Sequence, residues 1–194
     1  MQRFIFSFSL LFISFLAGSQ SNYRDSMEAF IKNYVETHEV ITGKDRQHLK
    51  FYPIDEAYRV TARFESITNG KWFQMETSGN TKQTYREFGR LHFNLQGKEL
   101  TLTLYQSQRL LGLEEYKDHL FLPFTDLTSG VETYETGRYI DISRTDIHDS
   151  KLVIDFNKAY NPYCAYVDDV YNCPIPPRGN YLEVEVFAGE KKYR

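Results

Sequence analysis

Two segments of this chain concentrate side chains that can do chemistry. The first runs from Asp126 to Arg138. It holds the carboxylates Asp126 and Glu132, the hydroxyls Ser129 and Tyr134, and the guanidinium of Arg138. A guanidinium can hold a carboxylate or phosphate by two parallel hydrogen bonds. With Arg138 gripping an anionic ligand, Asp126 or Glu132 is a candidate to move protons. The competing reading closes Arg138 on one of its own carboxylates and locks the loop. The second segment, Asp155 to Tyr166, crowds Asn157, Tyr160, Asn161, Pro162 and Tyr163 together. Its Asn and Tyr side chains both donate and accept hydrogen bonds. They suit either a rigid turn that satisfies backbone groups or a pocket walled by Tyr163 and Tyr166.

The second segment also carries Cys164, with Cys173 after eight intervening residues, and the chain has no other cysteine. In an oxidising compartment the two can join. A nucleophilic role for Cys164 requires a histidine beside it. None of His38, His48, His92, His119 or His148 stands at a recognisable spacing from it. The pair lacks the close C-x2-C spacing of zinc sites, so no metal is expected. Ser129-Gly130 is not a nucleophile elbow, because position 127 is Leu. No P-loop, dinucleotide fingerprint or EF-hand loop is present, and no cofactor is expected.

The elements that must position these residues begin with a leader. Arg3 is followed by an apolar run from Phe4 to Leu16, and Ala17-Gly18-Ser19 supplies small residues for cleavage. That is the layout of a secretory signal peptide, which predicts an exported protein, periplasmic or secreted. The run falls short of the roughly 20 residues of a membrane span, and no second one follows. Net charge is −3 over 194 residues; loss of the leader leaves 22 basic against 26 acidic residues. Such a balance offers no broad basic surface for nucleic acid.

After the leader, Met27, Phe30, Ile31, Tyr34 and Val35 form one apolar stripe at helical spacing, with Ser21 or Asn22 as a cap and Gly43 as a stop. From there alternation of period two dominates. Val60-Ala62-Phe64, Leu91-Phe93-Leu95, Leu100-Leu102-Leu104, Leu152-Ile154-Phe156 and Leu182-Val184-Val186 each mark a strand. Trp72–Glu76 and Thr81–Phe88 read as a hairpin, and His119 to Phe124 reads as a short strand ended by Pro123. Gln96-Gly97 turns the strongest hairpin. Turns this short argue antiparallel pairing. The predicted fold is mainly β with an N-terminal helix (α+β), a single-domain antiparallel barrel or sandwich.

Several pieces in order resemble the bacterial family of unknown function DUF1684. They include Phe51-Tyr52-Pro53-Ile54-Asp55, Tyr58-Arg59-Val60, Phe121-Leu122-Pro123-Phe124-Thr125-Asp126, Gly137-Arg138-Tyr139 and the two Cys segments. One departure is Gly179, where relatives tend to carry Glu before the Asn at 180. The organisation that follows is a signal peptide over 1–19, a helix and loop over 20–50, and a DUF1684-like β domain over 51–194. The resemblance implies no activity. From the residues, the leading expectation is an exported domain that binds a small polar or anionic ligand through Asp126, Glu132, Tyr134, Arg138, Asn157, Tyr160 and Asn161. The alternatives are a hydrolase-like enzyme using a carboxylate or Cys164, and a structural or interaction domain of the cell envelope.

Overall fold

The computed structural model describes the backbone of residues 10–193 and the side chains of residues 22–193. The leader at 1–19 lies outside the described side chains. Helix α1 (Leu10–Thr37) runs unbroken through the expected boundary at residue 19, so Ser21 and Asn22 sit inside it and do not cap it. The helix ends at Thr37, and Gly43 opens the next 3-10 turn at φ +58°. Among the described residues, no helix is long and apolar enough to cross a membrane.

Eight strands follow: β1 (Arg59–Ser66), β2 (Trp72–Met75), β3 (Gln83–Leu95), β4 (Lys98–Ser107), β5 (His119–Asp126), β6 (Arg138–Ser143), β7 (Lys151–Asp155) and β8 (Tyr181–Leu182). A four-residue helix, α2 (Gln108–Leu111), follows β4. The sheet order is β6-β5-β4-β3-β1-β7, with β2 beside the first half of β3. All pairs are antiparallel except β5–β8, which is parallel. The result is one curled antiparallel sheet, a half-barrel, with the N-terminal helix packed against it. The strongest hairpin forms as its pattern predicts. Leu95 pairs with Lys98, and Gln96 and Gly97 both take positive φ, the requirement of a two-residue I′ turn.

Alternation places the apolar sets of β1, β3, β4, β5, β6 and β7 on one face. Ala62, Leu91, Leu102, Leu104, Leu122 and Ile154 are fully buried there. Leu182, Val184, Val186 and Ala188 cross that face and close the core, although only residues 181–182 pair as strand.

Two details depart from the sequence pattern. Residues 83–95 form one strand rather than two, with a bulge between Glu87 and Gly89. Such a bulge shifts the side-chain phase. Leu91 and Phe93 face the core, yet Tyr85, also odd-numbered, joins a second cluster with Met75, Tyr105, Phe121 and Tyr139. A Cβ on Gly89 would stand 2.2 Å from the Phe64 ring, so the bulge needs glycine there. Strand β5 also runs on past Pro123 to Asp126. Tyr139, paired with Pro123, turns its own N–H and C=O to Tyr160, so Pro123 points its backbone toward β4. Proline has no N–H to give, and Asn180 fills the gap. Its Oδ1 accepts from Thr103 N at 2.9 Å, and its Nδ2 donates to the carbonyls of Thr103 and Pro123.

Candidate functional site

Two members of the first predicted cluster, Asp126 and Arg138, fold into the interior. Arg138 Nη2 donates to Asp126 Oδ2 at 2.9 Å, and neither side chain meets solvent. The remaining guanidinium bonds go to the carbonyls of Val186, Ala188 and Glu190. Asp126 Oδ1 accepts from the backbone of Thr128 and Val186 and from the Thr128 hydroxyl. The pair therefore clamps the C-terminal segment where ladder bonds are missing. Gly137 permits this entry into β6. Its φ is +101°, and a Cβ would stand 2.4 Å from the Phe124 carbonyl oxygen. Glu132 is exposed and accepts from Tyr52 Oη at 3.1 Å. Tyr134 is half-buried, which raises its phenol pKa.

The second cluster divides. Asn157 is buried and tied to Asp55, Asp155 and Tyr23. Asn161 donates to the Lys191 carbonyl, while its Oδ1 has no partner among the described residues. Tyr160 turns the other way, onto the second face of the sheet. Cys164 and Cys173 are joined as a disulfide. Bonded sulfur cannot serve as a thiolate nucleophile, so the structure removes Cys164 from the enzyme alternative.

On that second face lies an open cleft of about 1190 Å³. Its floor is the outer face of the sheet, its walls are α1 and the disulfide loop, and the β4–β5 connection closes one end. Aromatic rings line it in an unbroken belt. Tyr85 and Phe121 are 5.5 Å apart, Phe121 and Tyr139 4.7 Å, and Tyr139 and Tyr160 5.8 Å. The belt climbs onto α1 through Tyr34, 6.2 Å from Tyr160, and reaches His38, just past the helix end, 5.3 Å from Tyr34. It ends on the disulfide loop at Tyr163 and Tyr171, 5.1 Å apart. Burial raises the Tyr139 and Tyr160 phenols well above their usual pKa, with Asp141 adding to the effect at Tyr160. Both stay neutral at physiological pH.

One polar chain crosses the floor. His119 Nε2 lies 2.8 Å from Asp141 Oδ1, and Tyr160 Oη donates to Asp141 Oδ2 at 3.0 Å. His119 Nδ1 is buried without a partner among the described residues. Behind the belt, Glu190 is fully buried and accepts from Tyr34, Tyr166 and the Asn161 N–H. Burial raises its pKa to about 7 against the lowering effect of those donors. Sequence reasoning missed Glu190, His119, Asp141 and the α1 contribution. The clearest available signal was the period of four in Phe30, Tyr34 and His38, which places Phe30 and Tyr34 on one helix face and His38 in line just past the helix end. Among the described residues, no three His, Cys, Asp or Glu side chains are grouped to hold a metal ion.

The fold and cleft define a curled-sheet domain with an aromatic face framed by a helix and a disulfide loop. The chain belongs to the family described as protein of unknown function (DUF1684), whose profile matches residues 44–191. Among solved structures it is similar to an uncharacterised protein of Haloarcula marismortui determined by NMR. The TM-score is 0.67 at 29% identity, covering 90% of this chain and 96% of that one. No curated protein matches it.

Proposed function

We propose that this is an exported domain that binds a small polar, ring-bearing molecule in the aromatic cleft. The observation that carries this reading is the belt of rings from Tyr85 to Tyr171, contributed by the sheet, the helix and the disulfide loop. Concave sites with aromatic walls and a few placed polar groups are the usual form of small-molecule pockets. The disulfide supports an oxidising location, which agrees with the leader-like residues 1–19. Native mass spectrometry of the protein from its own compartment tests the reading. Extra mass that leaves on denaturation, and is lost in Tyr139→Ala and Tyr160→Ala, is the expected result. Identical native and denatured masses count against it.

A second reading, a carboxylate-assisted enzyme, is favoured by the Tyr160–Asp141–His119 chain. A histidine held by a carboxylate, with its other nitrogen unspent, has the form of a general base. His119→Gln would then abolish turnover of a bound compound without weakening its binding. Equal turnover by wild type and variant would remove this reading.

A further inference from the structure

We propose that the ligand of the aromatic cleft is a ring compound bearing an oxyanion, a carboxylate or phosphate, received by His38, Lys158 and Arg109. This rests on the binding reading above and assigns its ligand class.

His38 is only 5% exposed. Its Nδ1 accepts from the Ile41 N–H at 2.9 Å, so in the neutral ring the proton sits on Nε2. That Nε2–H has no partner among the described residues. Burial, with Arg46 nearby, lowers the His38 pKa and keeps the ring neutral. His38 lines the cleft, and buried donors are almost always satisfied in native proteins, so this buried, unspent N–H is a candidate donor to a ligand acceptor.

Two cations extend the surplus. Lys158 and Arg109 are exposed along the same cleft. Lys158 Nζ lies 5.6 Å from the Phe30 ring centroid, and among the described residues neither cation forms an ion pair with a carboxylate. The third cation, Lys82, closes on Glu76 at 2.7 Å.

The acceptor side chains are partly engaged. Glu39 Oε2 accepts from Tyr163 Oη, and the two Asp141 oxygens are held by His119 and Tyr160, although among the described residues neither carboxylate has a Lys or Arg partner. Ser107 Oγ accepts from the Leu110 N–H, and Thr84 Oγ1 from Gln74. His119 Nδ1 remains as one acceptor without a partner. A neutral polyhydroxy ligand brings a donor with every hydroxyl and needs protein acceptors in similar number. An oxyanion brings acceptors alone, and its bonds to charged donors are the stronger kind. The ring belt then holds the body of the ligand by stacking.

The test is isothermal titration of the full, disulfide-intact chain with matched pairs. These are glucuronate against glucose, glucose 6-phosphate against glucose, and 4-hydroxybenzoate against 4-hydroxybenzyl alcohol. The anion of at least one pair should bind about ten-fold tighter than its neutral partner, with the advantage shrinking as salt is raised. Carboxylate and phosphate arms separate the two sources of negative charge. A Lys158→Gln/Arg109→Gln double variant alters exposed positions only. It should weaken the anion about five- to ten-fold and leave the neutral partner unchanged. Neutral partners binding as tightly as anions would overturn the anion assignment and leave cleft binding standing. Anion affinity unaltered in the double variant would also overturn it. Failure of every compound at millimolar concentration would count against both the assignment and the binding reading.

Discussion

Arg138 Nη2 and Asp126 Oδ2 face each other at 2.9 Å in a place that neither shares with water. Every other polar contact of the Arg138 guanidinium ends on a carbonyl of residues 186–190. The two residues most suggestive of anion chemistry in the sequence are thus spent holding the last strand-like segment over the core.

Arg138→Ala should therefore cost stability. Removing one partner of a buried pair strands the other charge, with losses of about 3–5 kcal/mol. Urea denaturation measures it, and a loss under about 1 kcal/mol would show that Asp126 finds another partner or stays hydrated.

Asn180→Ala should open the seam between β4 and β5. The variant leaves Thr103 N–H, Thr103 C=O and Pro123 C=O without their partner. The expected cost is roughly 2–4 kcal/mol. Amide exchange at Thr103 should rise more than at Leu91, which sits in the well-paired part of β3. Uniform exchange across the sheet would argue that the seam is held elsewhere.

These two residues also show what the sequence made legible. Half-buried strands write their alternation openly, so the hairpin of β3 and β4 and the set Leu152-Ile154-Phe156 could be read directly. The bulge at Glu87–Gly89 could not, because a single extra residue leaves no period of its own while it moves Tyr85 to the opposite face. The cleft was hidden for a related reason. Its rings come from segments far apart in the chain, and each ring alone reads as ordinary core. Tyr160 was singled out and does line the cleft, whereas His119 and Asp141 meet only across paired strands. Glu190 is one carboxylate near the chain end, and nothing adjacent in sequence marks it as buried.

Glu190 makes stability depend on pH in an unusual direction. Its folded pKa is raised to about 7 by burial, above the ordinary carboxylate range of the unfolded chain. The folded state holds this proton after the unfolded state has lost it. Stability from this group is fully present at low pH and declines as pH rises from about 4.5 toward 7. The total is on the order of 3 kcal/mol. Glu190→Gln should flatten that decline in a series of denaturant melts. An unchanged pH slope in the variant would contradict the assignment.

The disulfide should matter for the cleft as well as for the fold. Loop-entropy reasoning gives a loop this short about 2–3 kcal/mol. The loop also carries Tyr171 and, at its base, Tyr163, the last two rings of the belt. Cys164→Ser/Cys173→Ser should lower the melting temperature and reduce binding further than the stability loss alone explains. A variant that binds as well as wild type would remove the loop from the site.

The most direct measurement is NMR of the full chain with ring-labelled tyrosine, titrated with the sugar and aromatic acids named above. Tyr34, Tyr139 and Tyr160, which line the cleft, should shift together and saturably. Tyr58 and Tyr181, which do not line the cleft, should stay still. Shifts confined to tyrosines outside the cleft, or no shift by any compound, would contradict binding in the cleft.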